Sequence, residues 1–142
     1  PVGGDVSTVS YAALHLYARP EARVTPPPGF GGGTSLNRDG SVFVPYDAHL
    51  APANGHNVAP WFWAYISRRD LFPGGWLHDI GLPMTEPIAA VVDKGDLKGR
   101  DIVLQGFQRT VLTYDPLNPG DWQVERANVG TDYLRVFPQG AP

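Results

Sequence analysis

The sequence predicts an α+β fold built mainly on an antiparallel β-sheet, with one or two short helices and long loops rich in proline and glycine. Three observations carry this. Of 142 residues, 17 are glycine and 15 proline, a density of chain breakers that keeps every element short. Three stretches of the second half, Ile88 to Val92, Asp101 to Phe107 and Arg109 to Tyr114, concentrate β-branched and aromatic residues between turn-forming ones. Hydrophobic residues make up 42% and charged residues 18%, too apolar a balance for a disordered chain. The length suits one domain over residues 1–142, with one sizeable core.

Taken in order, the first candidate element is Val6 to Tyr17. Val6, Val9, Tyr11, Ala12, Leu14, Leu16 and Tyr17 make it apolar on both parities, which predicts a strand covered on both sides. A helix is the rival reading, because Ala12, Ala13, Leu14 and Leu16 are tolerated in helices. Pro20 to Gly33 joins Pro26-Pro27-Pro28 to Gly31-Gly32-Gly33 and reads as a linker, or as an arm crossing a surface, ahead of a globular body from residue 34. A hairpin follows, Thr34 to Leu36 and Ser41 to Tyr46, turning at Asn37-Arg38-Asp39-Gly40. Asp47 to Pro60 reads as irregular, and Pro60 then opens a helix through the Trp61 to Ile66 block with Asn57 as its cap. Asp93 to Arg100 reads as a polar hairpin loop, Pro116 to Gly120 as a turn, and Asp121 to Phe137 as a helix.

Composition excludes several function classes. A net charge of −3 and a pI near 5.7 leave no basic excess for phosphates, so no nucleic-acid partner is expected. The apolar runs fall far short of the roughly 20 residues a membrane span needs. Without cysteine there is no disulfide, no thiolate zinc site and no cysteine nucleophile. His15, His49, His56 and His78 show no ligand spacing, and the Asp93-Asp96-Asp101 loop lacks the alternation of an EF-hand, so neither metal nor cofactor is expected. No nucleophile elbow, P-loop, dinucleotide fingerprint or H-E-x-x-H motif occurs. A two-carboxylate glycosidase remains as a third reading, with Glu86 and either Asp79 or Asp115.

From about Trp61 to Phe137 a pattern emerges: Trp63-Ala64-Tyr65, Gly74-Gly75-Trp76, Gly81-Leu82-Pro83-Met84-Thr85-Glu86-Pro87, Gln105 to Pro119, and Asn128-Val129-Gly130. This resembles a module of exported surface proteins of Chloroflexota-type thermophilic bacteria and is distantly similar to LGFP repeats. The resemblance implies an extracellular or cell-surface protein with no active site to carry over, and cell-wall attachment as an option. One copy is present rather than an array, and the first 60 residues lie outside the pattern.

Two non-catalytic functions follow. A strand at residues 6–17 on a Pro/Gly arm is suited to donation to a neighbouring copy, which predicts a homo-oligomer or filament held by β-augmentation. The same strand within its own sheet removes the basis of that reading. Trp61, Trp63, Trp76 and Trp122 supply flat rings for stacking on a cell-wall glycan, against the alternative of a core aromatic cluster. Trp61 and Trp63 stand two apart on the predicted helix and cannot share a face. The chain opens on Pro1 rather than methionine and reads as processed, with its ends held.

Overall fold

The computed structural model describes residues 1–127 and contains two antiparallel sheets with few, short helices. The larger has the order β1-β5-β6-β7-β8: β1 (Val6–Ser7), β5 (Ile88–Lys94), β6 (Leu97–Gly106), β7 (Val111–Tyr114) and β8 (Val124–Arg126). The smaller is β2 (Ser35–Leu36), β3 (Val42–Pro45) and β4 (Gly55–Val58). Helices α1 (Tyr11–Tyr17), α2 (Pro60–Ile66) and α3 (Trp76–Asp79) complete the fold. No helix among the described residues is long and apolar enough to cross a membrane.

The five-stranded sheet carries apolar side chains on both faces. Ile88, Ala90 and Val92 point to one face and join Ile102, Leu104, Val111, Val2 and Val9 in one core. Leu112 belongs to the opposite face, where it meets Phe62 and Ile66 of α2 and Val42, Val44 and Val58 of the smaller sheet. Alternation along each strand thus feeds two cores.

The predicted strand at residues 6–17 is corrected. Only Val6 and Ser7 are strand, paired with Asp93 and Val92 of the same molecule, and residues 11–17 are helical. Ser10 decides this locally: its extended backbone and its Oγ, which accepts from the Ala13 amide at 3.1 Å, cap a run of good helix formers. Nor are both sides covered. Val9 is buried and Tyr11 and Leu14 pack partly against the core, while Ala12 and Leu16 are exposed, as are Val6 (60%) and Tyr17 (48%).

The Pro20 to Gly33 stretch is an arm laid over the body. Val24 bridges Gly55, the Arg23 guanidinium sits over the Tyr46 ring, and Phe30 meets Phe43 edge-on at 5.3 Å. The hairpin forms at the predicted place, with Gly40 at φ +87 in its turn.

Four further expectations need correction. The stretch after Asp47 holds β4, which reads poorly as a strand because Gly, His and Asn fill it. Pairing with β3 and the bridge to Val24 impose it, and only glycine fits at 55, where a Cβ would collide with the Val44 carbonyl. Asn57 does not cap α2; Ala59 does, without a side-chain bond, and Pro60 occupies the first turn. The polar loop 93–100 is mostly strand, closed by a two-residue turn at Gly95-Asp96. The helix predicted from Asp121 is instead a 3-10 turn (Gly120–Trp122) followed by β8, because Val124, Glu125 and Arg126 complete the edge of β7. Its remainder, and the Asn128-Val129-Gly130 motif, lie outside the described residues.

Candidate functional site

The register of the large sheet brings side chains from four strands to one place. Arg100 pairs across from Val92, Thr113 from Leu104, and Glu125 from Thr113, so all three share the face that Val2 covers further along. Beyond Gly3 this face opens into a groove of about 300 Å³, small among ligand sites but within their range. Val92, Leu97 and Ile102 give it an apolar lining.

Its polar lining is a connected chain of side chains. Arg100 Nη2 donates to Asp115 Oδ2 at 2.8 Å and to Asn118 Oδ1 at 3.2 Å. Asn118 Nδ2 reaches Glu125 Oε1 at 3.3 Å, and Lys94 Nζ donates to Glu125 Oε2 at 2.8 Å. Asn118 Nδ2 also donates to the carbonyl of Trp122 at 3.1 Å, which ties the groove to the turn carrying that residue. Trp122 itself is 69% exposed, and Leu117 in the same turn region is exposed too.

The other tryptophans are engaged. Trp61 stacks on Tyr114 with ring centroids 4.3 Å apart and 12° between planes, and Trp63 meets Trp76 edge-on at 5.4 Å. All three are half-buried against the core of α2. The two α2 rings do face different partners, as their spacing requires.

A second polar cluster joins the sheets. His56 on β4 is buried, and its Nδ1 lies 2.7 Å from Glu86 Oε2. The same carboxylate accepts from the Asn57 amide and from Asn57 Nδ2. Gln105, fully buried on β6, donates to the carbonyls of Asn57 and Thr85 and accepts from the Ala59 amide. The Glu86 bonds fasten β4 to the segment before β5, and the Gln105 bonds fasten β4, the start of α2 and that same segment to β6. The cluster is a cross-brace, and Glu86 is its central acceptor.

The three carboxylates considered for hydrolysis hold different partners. Glu86 holds His56 and Asn57, Asp79 holds His78 and the Gly74 amide, and Asp115 holds Arg100. The His78 hydrogen bond keeps the Asp79 carboxyl below the ordinary carboxylate range. Among the described residues no group of three or more His, Cys, Asp or Glu side chains is placed to hold a metal ion.

Sequence reading picked out Trp122 but missed Lys94, Arg100, Asn118 and Glu125 as a set. Lys94 and Arg100 looked like a solvated hairpin tip, and nothing local announces that β8 returns beside β7. Compared with protein-family models, curated proteins and solved structures, the chain matches none of them.

Proposed function

We propose that this chain is a non-catalytic binding module of the cell surface that holds polysaccharide in the groove of its large sheet, with Trp122 as the stacking ring. One observation carries the reading: Trp122, whose side chain is exposed, has its backbone carbonyl held by Asn118 of the groove's polar lining. Flat apolar rings fit the C–H faces of sugars, and surrounding hydrogen-bonding groups fit their hydroxyls. A binding role is supported by the groove's two carboxylates, each occupied by a cation rather than free for proton transfer.

Co-sedimentation of the purified chain with insoluble cell-wall polysaccharide tests this. The wild type is expected in the pellet, and Trp122→Ala, folded by circular dichroism, is expected to bind about tenfold more weakly, the equivalent of about 1.4 kcal/mol. A folded Trp122→Ala that pellets like the wild type, or a wild type that stays in solution, overturns the reading.

The second reading, a self-assembling extracellular filament subunit, loses the donated strand it rested on, since Val6 and Ser7 pair within their own molecule, and keeps only exchange of the N-terminal segment as a route. Val2 is fully buried, its amide bonds the Val9 carbonyl at 2.9 Å, and the α1 that follows buries no residue. Exchange of this segment between copies preserves the same contacts; reciprocal exchange closes a dimer, and only head-to-tail exchange whose rotation does not close propagates. Light scattering and electron microscopy of the chain with and without residues 1–9 test it: filaments lost on deletion support it, and a wild type monomeric at high concentration rejects it.

A further inference from the structure

The ligand class of the groove can be read from its charge pattern, an inference that rests on the binding-module reading above. Lys94 and Arg100 are each joined to a carboxylate of the same groove, Glu125 and Asp115, at 2.8 Å. Two positive and two negative charges therefore cancel inside the site. An anionic ligand has to compete with Asp115 or Glu125 for its cation, and a cationic ligand has to compete with Lys94 or Arg100. Either exchange gives up one charge-assisted contact for each one gained, and the ligand's own desolvation is left uncompensated.

A hydroxyl group meets no such competition. It donates and accepts at once, so it adds to an existing ion pair without breaking it. The polar chain from Lys94 through Glu125 and Asn118 to Arg100 alternates donors and acceptors in the way a row of hydroxyls does. Arg100 Nε is a buried N–H with no hydrogen-bond partner among the described residues, an unmet donor beside this chain. Val92, Leu97 and Ile102 offer apolar contact to the C–H face of the same ligand.

We infer that the groove selects a neutral, hydroxyl-rich saccharide and discriminates against uronic-acid and amino-sugar polymers. Arg100 and Asn118 are its hydrogen-bonding contacts, and the two ion pairs set its charge preference.

Affinity electrophoresis in gels containing a neutral β-glucan, polygalacturonate or chitosan tests this with the full chain. The neutral glucan is expected to retard the wild type most, with a retardation nearly independent of salt. Arg100→Ala is expected to weaken that binding at least about tenfold. Because Arg100 is largely buried, a second variant guards against misfolding: Lys94→Gln, on a half-exposed side chain, leaves Glu125 uncompensated. It is expected to raise chitosan binding severalfold and make it salt-sensitive. Preferential retardation by polygalacturonate or chitosan in the wild type, or a Lys94→Gln variant with unchanged selectivity, overturns the neutral-ligand inference while leaving the binding module intact. No retardation by any polysaccharide overturns both.

Discussion

His56 Nδ1 lies 2.7 Å from Glu86 Oε2 across the junction of the two sheets, with His56 fully enclosed and Glu86 at the surface end of the pair. A carboxylate only accepts, so the imidazole N–H points outward from the core and the carboxylate draws β4 onto the segment that leads into β5. The Asn57 amide and side chain complete its set of donors. Glu86→Gln halves the acceptor capacity: its one carbonyl can serve His56 Nδ1 and the Asn57 amide, which share Oε2, but its NH2 then faces the Asn57 Nδ2 donor. It is expected to cost about 1–3 kcal/mol in urea unfolding, with the fold retained.

Close backbone approach makes two glycines irreplaceable. At Gly55 and at Gly4 the nearest obstruction to a Cβ is a backbone carbonyl, of Val44 and of Asp93, which cannot rotate away. Gly55→Ala is expected to destabilise by about 3 kcal/mol or more and Gly4→Ala by about 1–3 kcal/mol. Thermal melts followed by near-ultraviolet circular dichroism separate these from a Gly29→Ala control at an open position, where nothing lies within 4 Å but φ of +77 adds its own smaller strain.

Val2 anchors the N-terminal segment. Val2→Ala removes two methyl-sized groups from a site with no exposure and is expected to cost about 1–2 kcal/mol. Hydrogen exchange should report the loss at the amides of Thr8 and Val91, which bond across this junction. Unchanged protection there would mean the segment is held by β1 alone.

Trp61 offers a contrast between shape and polarity. Its Nε1 is buried with no partner among the described residues, and its ring stacks on Tyr114. Trp61→Phe keeps an aromatic ring and removes the unmet donor, so its loss should be under about 1 kcal/mol. Trp61→Ala removes the stack and opens a gap, with an expected loss of about 3 kcal/mol. Urea titrations of both variants check the difference.

Asp39 gives a pH test. The Ser41 hydroxyl, and then its amide, bond the Asp39 carboxylate and hold it below the ordinary carboxylate range. A group whose affinity for protons falls on folding adds stability above its unfolded pKa, about 3.9, and loses that contribution as pH drops through the lower folded value. The stability gap between wild type and Asp39→Ala should therefore be present at pH 6 and narrow below about pH 4. A gap that widens in acid contradicts the assignment.

Much of the fold was legible along the chain because its signals are local. The alternation Ile88, Ala90, Val92 names its own inner face, Gly40 marks its turn, and Pro60 starts α2 with the φ its ring already fixes. The Val6–Tyr17 stretch failed for a local reason as well: apolar content outweighed the Ser10 cap in the reading, although the cap was there to be read. β4 and β8 failed differently. Gly55-His56-Asn57 and Val124-Glu125-Arg126 have little strand character of their own and are strands because β3 and β7 offer them unpaired backbone.

By itself, then, the sequence determined the fold class, the strands of the central hairpin, the first turn of α2 and the presence of spare aromatic rings, since propensity and periodicity act over a few residues. Only the tertiary structure decided that Trp122 stands exposed while three other tryptophans pack inward, and that Lys94, Arg100, Asn118 and Glu125 meet in one groove. Those meetings depend on sheet register between segments far apart in the chain, and register follows from how both faces of the sheet are buried at once.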